Sequence, residues 1–429
     1  MIEVVQRNPA FRRLWFSQIV SQTGDWLNRM ACIVLIGRLG GDSSALGTFF
    51  GIELALRLIP PALLGPLAGP LADRISRRFL MVASDVLRAA IVLGFLFVDE
   101  KGELWLLYTL VFLQMAASVF FDIARTAALP DTVSREELFD AHALSAATWS
   151  VILGIGALLS GLVVGWFGVR AAFVIDAASY VVSALFLLGM SLPAPAKREP
   201  FRWSELLLFT DLRRGYAHAR ELGIVPILWT KTLWGGAGGF LVILSLAGSV
   251  RFGETGAEGT DAHATGALFS ARGIGTWIGP ILLKRVLGTT DAALMRQILI
   301  GFACAAVGYA AFGFTDGLAL SCIAVGFAHL GGSALWVAST ILWQRRVEDS
   351  FRGRVFAFEY LGMCVSFAVF GQFAGLLYDA TQSLAITVWV VSGLVLGLGL
   401  LWRWSASGMR AAPRLRDAGP LPEPAELEP

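Results

Sequence analysis

The sequence predicts an all-α polytopic membrane protein whose twelve transmembrane helices form two pseudo-symmetric six-helix bundles. Its composition is the first observation: 56% of the 429 residues are hydrophobic and only 15% are charged, with a mean hydropathy of +0.68. Soluble globular domains are roughly 45–50% apolar and about 25% charged, so this excess requires an apolar solvent. The other two observations are a series of bilayer-length apolar windows and an uneven distribution of basic residues.

Each predicted helix is an apolar window between charged or Gly/Pro-rich breaks. The first window is the least hydrophobic. Most windows have a length close to the roughly 20 residues that cross a bilayer. In chain order the predicted spans are 12–38, 45–71, 79–98, 103–125, 141–166, 169–190, 220–249, 264–285, 293–314, 317–341, 353–378 and 383–404.

The basic residues indicate the orientation. If both termini are cytoplasmic, the inside segments hold 25 Lys and Arg residues, and the outside connections hold only Arg38, Lys101, Arg170 and Arg251. Cytoplasmic loops carry an excess of Lys and Arg, and an odd number of helices would remove this asymmetry. We therefore expect a multi-pass protein of a bacterial-type cytoplasmic (inner) membrane, with both termini cytoplasmic.

The longest inside connection divides the chain. Residues 1–192 are predicted to form the N-terminal six-helix bundle, 193–219 a cytoplasmic central loop, 220–404 the C-terminal bundle and 405–429 a disordered cytoplasmic tail. The segment from Trp203 to Leu212 is amphipathic, which is typical of a helix on the membrane surface. The tail is rich in Pro and Glu, a composition that favours disorder.

The two halves are weakly similar to each other. "GTFFGIELALRLIPP" (47–61) aligns with "GALFSARGIGTWIGP" (266–280) at an offset of 219, and segments around Val133 and Val347 align at an offset of 214. Similar offsets at separate places indicate a duplication. Two related bundles around a central path are typical of secondary transporters.

A short charged loop interrupts the apolar sequence between the second and third helices. In "GPLAGPLADRISRRF" (65–79), Gly69, Asp73, Arg74, Arg77 and Arg78 form the pattern G-x-x-x-D-R-x-x-R-R. Together with the twelve spans and the long central loop, this pattern resembles the major facilitator superfamily. "NPAFRRLWFSQIVSQTGDWL" and "ALPDTVSREELFDAHAL" resemble its branch of macrolide-efflux and enterobactin-export proteins. The resemblance implies the major facilitator fold and transport by alternating access.

The resemblance also implies that this loop is part of a cytoplasmic gate. Asp73 would meet the start of the eleventh helix near Arg354, favoured by the positive N-terminal dipole of that helix. Further gate candidates, spaced i,i+3 near the same face, are Asp85, Arg88, Asp122 and Arg125. Alternatively, all these charges only anchor loops and set the topology.

The fifth helix carries an incomplete version of an antiporter motif of the family. That motif is Gly-Pro-x-x-Gly-Gly, whereas "GALLSG" (156–161) lacks the proline and one glycine, which weakens an inference of antiport. The small residues Gly154, Gly156, Ser160 and Gly161 would equally allow the fifth and eighth helices to pack closely.

Charges near the membrane centre are the candidates for proton coupling and for the substrate cavity, since each costs about 2.5–3.5 kcal/mol or more there. They are Asp25, Arg29, Glu53, Arg57, Lys231, Arg272 and His329. The resemblance implies that helices 1, 4, 7 and 10 line the cavity, and Asp25, Lys231 and His329 lie on three of them.

Asp25 is the leading candidate for proton coupling and Glu53 the second. The i,i+4 pairs Asp25/Arg29 and Glu53/Arg57 have an alternative interpretation, in which each pair only neutralises itself. Lys231 needs a carboxylate from another helix, a substrate anion or a changed protonation state. His329 is alternatively a satisfied core residue.

Several function classes lack their motifs. None of the four lysines follows a glycine, so no phosphate loop for ATP occurs, and there is no HExxH, CxxC or nucleophile elbow. The four cysteines are scattered singly. We therefore expect no enzyme activity, no catalytic residues, no metal and no cofactor. The basic loops are spread over one membrane face, so nucleic-acid binding is not expected.

The leading hypothesis is a proton-coupled exporter of amphipathic small molecules of the drug or siderophore class. Its expected partners are that substrate, protons and membrane lipid, and the expected state is a monomer. An alternative is the flipping of a lysophospholipid or another lipid by the same fold. A third is a membrane sensor or scaffold that transports nothing.

Overall fold

The computed structural model describes residues 2–41, 43–72, 74–193, 208–253 and 259–408, and within these ranges the regular elements are all helical. Twelve helices of membrane-spanning length occur there. They are α1 (Pro9–Gly40), α2 (Leu46–Ala72), α3 (Arg77–Gly94), α4 (Leu104–Ala128), α5 (138–167), α6 (169–188), α7 (Val225–Arg251), α8 (Thr260–Leu287), α9 (Asp291–Phe312), α10 (Leu318–Gln344), α11 (Asp349–Thr381) and α12 (Leu384–Ser407).

Apolarity alone identifies nine candidate spans within the described ranges. One of them, Leu138–Leu188, is 51 residues long and contains both α5 and α6. The chain reverses between these two helices at Gly168, whose φ of 80° lies in the left-handed region that favours glycine. α1 and α8 complete the twelve: they are long enough to span, but the charged and polar residues in their middle make them less apolar.

One end of the bundle carries several arginine contacts, and we call it the basic end. α1 and α3 begin there, and α2 ends there. Arg78 donates to the carbonyl of Met190 at 2.8 Å, which joins the start of α3 to the end of α6. Arg345 and Arg346 donate to the two carboxylate oxygens of Asp291 at 2.8 and 2.5 Å, which joins the end of α10 to the start of α9.

The helices pack in a pattern that repeats with an offset of six. In the N-terminal half α2 packs on α4, and α3 packs on α4 and α6. In the C-terminal half α8 packs on α10, and α9 packs on α10 and α12. The two halves meet through α2 against α11 and through α8 against α5, which are again equivalent pairs. The fold is therefore two pseudo-symmetric six-helix bundles.

Glycines let α5 and α8 approach until their backbones touch. A Cβ atom at Gly266 would lie 2.8 Å from the Cα atom of Gly161, and one at Gly273 would lie 2.7 Å from the backbone nitrogen of Gly154. Distances under 3.0 Å are not sterically possible without a shift of the backbone. Ser160 stays inside α5, donating to the carbonyl of Gly156 at 2.6 Å. Gly154 and Gly161 thus have a packing role between the halves, whereas Gly156 faces Trp26 on α1.

The central connection ends in a helix, Leu208–Glu221, that packs on the start of α11. His218 stacks on Phe351 with ring centroids 4.0 Å apart, and Gly215 lies close to the carbonyl of Arg354. The amphipathic segment expected over 203–212 lies partly outside the described residues. Where it is described, it belongs to a helix that continues to Glu221 and is held by the C-terminal half.

Candidate functional site

A cavity of about 760 Å³ lies between the two halves. Its walls come from α1, α2, α3, α4 and α5 on one side and from α8 and α11 on the other. Ligand pockets in proteins measure about 300–1,000 Å³, so this one has room for a drug-sized molecule. Most of the lining is apolar or aromatic; the charged residues in it are Asp25, Arg29, Arg57, Arg88, Asp122 and Arg272.

Asp25 on α1 connects the cavity to a buried polar network. The Tyr180 hydroxyl donates to its carboxylate, and Gln114 donates to the Tyr180 oxygen at 2.9 Å. A guanidinium nitrogen of Arg88 lies 3.9 Å from the same carboxylate. The Asp25 side chain is 33% exposed while that of Arg88 is 2% exposed, so Asp25 meets water on one side and a buried cation on the other.

Arg88 is also held by its own helix and by aromatic rings. It pairs with Asp85, which accepts a hydrogen bond of 2.7 Å from Ser183, and its guanidinium lies 4.3 Å from the ring centroids of both Phe121 and Tyr180. The sequence interpretation placed Asp85 and Arg88 with the gate near the membrane face. Arg88 lies three turns, about 16.5 Å, along α3, and its long side chain reaches α1 beside Asp25; the gate role of Asp85 and Arg88 remains a prediction.

Glu53 and Arg57 form the i,i+4 ion pair that is one of the two arrangements considered from the sequence. The pair is nearly buried, with 4% and 9% of the two side chains exposed. Arg57 also donates to the side-chain oxygen of Asn28 at 3.3 Å, which joins α2 to α1. The charge of Glu53 is therefore neutralised by Arg57 of its own helix.

The corresponding pair of Asp25 with Arg29 does not form. Asp25 faces Tyr180 and Arg88, and the Arg29 guanidinium lies over Trp26 and Phe269, at 5.5 and 5.2 Å from their ring centroids. Phe269 belongs to α8, so Arg29 reaches across from one half to the other. Arg272 lies one turn after Phe269 and lines the same cavity.

Lys231 on α7 has its carboxylate partner on α11. Its ammonium group donates to Glu359 and to Thr340, both at 2.8 Å, and lies 4.6 Å from the ring centroid of Trp336. The Trp343 indole also donates to Glu359, at 3.2 Å. Glu359 is not among the gate or cavity candidates from the sequence, and only the packing of α7 against α11 shows that it is the partner of Lys231. Lys231 does not line the cavity described above.

His329 lies inside the C-terminal half, where its Nε2 atom and the Tyr309 hydroxyl are 2.8 Å apart. The histidine is 9% exposed, and it is absent from the cavity lining. The helix assignments for Asp25, Lys231 and His329 thus hold, but of these three only Asp25 faces the cavity.

The proposed contact of Asp73 with α11 lies outside the described residues. Gly69 is part of α2, and Arg74 is half-buried just after that helix. Arg354 lies with its guanidinium 5.3 Å from the ring centroid of Phe351 on its own helix. The gate role of these residues remains a prediction.

The other gate candidates contact residues of the N-terminal half. Arg77 donates to the carbonyl of Ala127 at 2.8 Å and pairs with Asp131. Arg125 donates to Gln18 on α1 at 3.1 Å and lies 3.8 Å from Asp122. Asp122 lines the cavity near the basic end, and its side chain is 60% exposed.

At the far end of the bundle, a carboxylate that sequence reasoning missed joins the two halves. Asp379 on α11 accepts hydrogen bonds from the backbone of Gly47 at 2.7 Å and of Thr48 at 2.8 Å, and from the Thr48 hydroxyl at 2.5 Å. These are first-turn N–H groups of α2, which have no partner within their own helix. Gln382 adds a hydrogen bond of 3.2 Å to the carbonyl of Ser44.

Tyr180 and Gln114 were also missed. Both are polar groups inside apolar windows, which is a usable signal, but only the packing of the helices shows that Tyr180 donates to Asp25 and that Gln114 donates to Tyr180. Across the described part of the chain, no group of three or more His, Cys, Asp and Glu residues could hold a metal ion.

Comparison with known proteins gives the family. The sequence profile of the Major Facilitator Superfamily matches residues 14–285. The "Putative bacilysin exporter BacE" of Bacillus amyloliquefaciens is 28% identical over 396 residues, covering 91% of this chain and 94% of that protein. Macrolide efflux protein A of Streptococcus pyogenes is 23% identical over 227 residues, covering 52% of this chain and 55% of that protein.

Solved structures share the fold at low sequence identity. A point mutant of the nucleoside transporter NupG superposes with a TM-score of 0.72 at 11% identity, covering 91% of this chain and 99% of that one. A bacterial homolog of the human lysosomal transporter Spinster superposes with a TM-score of 0.73 at 14% identity, covering 93% and 97%. The family and these relatives are membrane transporters rather than enzymes. The chain is a multi-pass membrane protein that belongs to the Major Facilitator Superfamily.

Proposed function

We propose that this transporter exports amphipathic small molecules from a bacterial cell, driven by the inward flow of protons. The observation that carries the proposal is Asp25, a carboxylate that lines the cavity and is backed by the buried Arg88 and Tyr180. Proton coupling needs a group whose protonation changes as access switches, and a cavity carboxylate paired with a cation meets that need. Relatives named for export of bacilysin and efflux of macrolides support the direction and the substrate class.

Contacts between the halves support alternating access between residues 1–192 and 220–404. The far end is closed by Asp379 on the start of α2 and by the close approach of α2 to α11. The cavity extends from Asp25 in mid-membrane to the exposed Asp122 near the basic end. In this proposal the protein lies in the inner membrane, with its termini and the basic end in the cytoplasm. The described conformation would then receive substrate from inside the cell.

In this scheme Asp25 couples the two fluxes. After the halves reorient and the substrate leaves, a proton from outside neutralises Asp25. The neutral side chain no longer attracts Arg88, and with the Asp25 charge removed from the cavity wall the halves return to the inward-open arrangement. Release of the proton to the cytoplasm restores the ion pair and readies the cavity for the next substrate molecule.

The test uses purified protein in proteoliposomes with N-dansyl-phenylalanine, an amphipathic acid that is followed by its fluorescence, as the probe. The wild type should accumulate the probe when a pH gradient is imposed, and Asp25→Asn should reduce accumulation to the level without a gradient. Exchange of the probe at equal pH should survive in this variant, because substitution by the isosteric amide keeps the cavity shape.

Asp99→Asn is the matched control. Asp99 pairs with Arg170 at the far end, with 55% and 68% of the side chains exposed, and lies outside the cavity. Its substitution should leave coupling intact. Full gradient-driven accumulation by Asp25→Asn would remove Asp25 from the mechanism, and a wild type that ignores the gradient would refute proton coupling.

A further inference from the structure

Two arginines that line the cavity have no carboxylate partner among the described residues. Arg29 makes ring contacts only, and neither it nor Arg272 takes part in an ion pair or hydrogen bond there. The Nε atoms of both are buried and without an acceptor. A guanidinium in the membrane interior is costly unless something compensates its charge.

The two arginines lie at the same depth and near each other. Arg29 is 11 residues from the far end of α1 and Arg272 is 12 residues from the far end of α8, which places both about 16.5–18 Å from that end. Phe269, which touches Arg29, lies one turn from Arg272 on the same face of α8. Glu53, which is paired with Arg57, attracts Arg29 electrostatically without forming an ion pair with it, whereas Arg57 and Arg272 both repel it.

The described carboxylates in and beside the cavity are already engaged by other cations. Glu53 pairs with Arg57, and Asp122 lies 3.8 Å from Arg125. Asp25 faces Arg88 and accepts from Tyr180. Arg29 and Arg272 therefore lack a carboxylate in direct contact at one wall of the cavity.

We propose that Arg29 and Arg272 bind an oxyanion of the transported molecule, a carboxylate or a phosphate group. Its apolar part then lies against the aromatic residues that line the cavity, which are Trp26, Phe121, Trp149, Phe356 and Tyr360. This inference rests on the proposed function, because it names a chemical feature of the substrate of the same cavity. The guanidinium fork matches the geometry of carboxylate and phosphate oxygens, and such charge-assisted hydrogen bonds are among the strong ones.

The position of the pair gives the bound anion a second effect. Arg29 belongs to the N-terminal half and Arg272 to the C-terminal half, so one oxyanion between them would join the halves at mid-membrane. It would replace the repulsion of two like charges by attraction of both to one group. An acidic substrate would thereby favour closure of the cavity around itself, which a neutral analogue of the same shape would not.

The test measures equilibrium binding without any gradient, using N-dansyl-phenylalanine and its uncharged carboxamide as probes. The protein is held in phosphatidylcholine nanodiscs, and binding is followed by dansyl fluorescence. The wild type should bind the acid more tightly than the amide. Arg29→Gln and Arg272→Gln should each weaken acid binding by roughly tenfold or more, the value of one charge-assisted contact, and leave amide binding unchanged.

Amide binding also serves as the check that each variant is folded. Arg170→Gln is the matched control, because Arg170 is an exposed arginine at the far end and outside the cavity. It should leave the affinities for both probes unchanged. Equal affinity of the wild type for acid and amide, or unchanged acid binding in both arginine variants, would overturn the oxyanion site.

Competition identifies the source of the oxyanion. If N-lauroyl-glycine displaces the dansyl acid more strongly than lysophosphatidylglycerol does, the site is assigned to soluble amphipathic acids. If lysophosphatidylglycerol is the stronger competitor of the two, the site is assigned to lipid phosphate. Because no gradient is present, failure of the acid preference leaves the proton-coupling proposal standing, and loss of coupling in the Asp25 assay leaves the oxyanion site standing.

Discussion

Replacement of Lys231 by methionine is expected to destabilise the folded protein by about 3–5 kcal/mol, because it leaves the charge of Glu359 buried and alone. The side chains of this pair are only 3% and 1% exposed, and the second carboxylate oxygen of Glu359 already lacks a hydrogen bond in the described structure. After the substitution, the remaining polar contact of Glu359 is the Trp343 indole at 3.2 Å. Since 1.36 kcal/mol corresponds to a factor of ten, the ratio of folded to unfolded protein should fall roughly 150- to 4,500-fold.

The decisive comparison is with the double variant Lys231→Met/Glu359→Gln. Its glutamine is neutral and keeps an oxygen that can accept from Trp343, so the cost of an isolated charge disappears. The double variant should therefore recover most of the stability lost by Lys231→Met. This outcome would show that the cost comes from the unpaired charge and not from the shape of the replacement.

The assay is unfolding in detergent followed by tryptophan fluorescence, with the single variants, the double variant and the wild type measured together. Arg170→Met is the matched control: it breaks an arginine–carboxylate pair with 2.7 Å distances whose side chains are 68% and 55% exposed. Exposed pairs contribute about 0–1 kcal/mol, so this variant should stay close to the wild type. A Lys231→Met protein as stable as the Arg170→Met control would refute the reasoning.

Two further predictions concern contacts between the halves. Gly273→Ala should destabilise the protein by about 1–3 kcal/mol and slow transport, because its Cβ would meet the backbone of Gly154. Gly397→Ala is the control and should change neither stability nor transport, because no atom lies within 4 Å of its added Cβ. Equal transport rates of the two variants would contradict the packing argument. Asp379→Ala should speed hydrogen exchange of the first-turn amides of α2, including Thr48, by about 2- to 30-fold, since a helix cap contributes about 0.5–2 kcal/mol. Exchange is measured by mass spectrometry. An unchanged exchange rate would show that Asp379 does not close the far end.

The number of helices could be predicted because crossing a bilayer imposes a length and an apolarity on each segment. Even the two helices with charged centres, α1 and α8, were found, because the basic residues require an even number of crossings. The repeat was visible as well. The offset of 219 aligns α2 with α8, which occupy equivalent positions in the packing of the two bundles.

Partners of the membrane charges could be predicted only where they lie on one helix. Glu53 with Arg57 and Asp85 with Arg88 follow from i,i+4 and i,i+3 spacing. The same rule applied to Asp25 and Arg29 fails, because Tyr180 and Arg88 from other helices offer Asp25 a better arrangement. Local spacing says which groups can meet, and competition from neighbouring helices decides which of them do.

The sequence by itself determined that the chain is a twelve-helix membrane protein with a duplicated architecture, because the bilayer acts on each segment separately. Only the tertiary structure decided that Glu359 neutralises Lys231, that Asp379 closes the far end on α2, and that Arg29 and Arg272 face the cavity without a carboxylate among the described residues. Each of these depends on helices that are far apart in the chain and are brought together by helix–helix packing, in part through glycine contacts. The chemistry of the cavity is therefore set by helix–helix approach, which no window of the sequence contains.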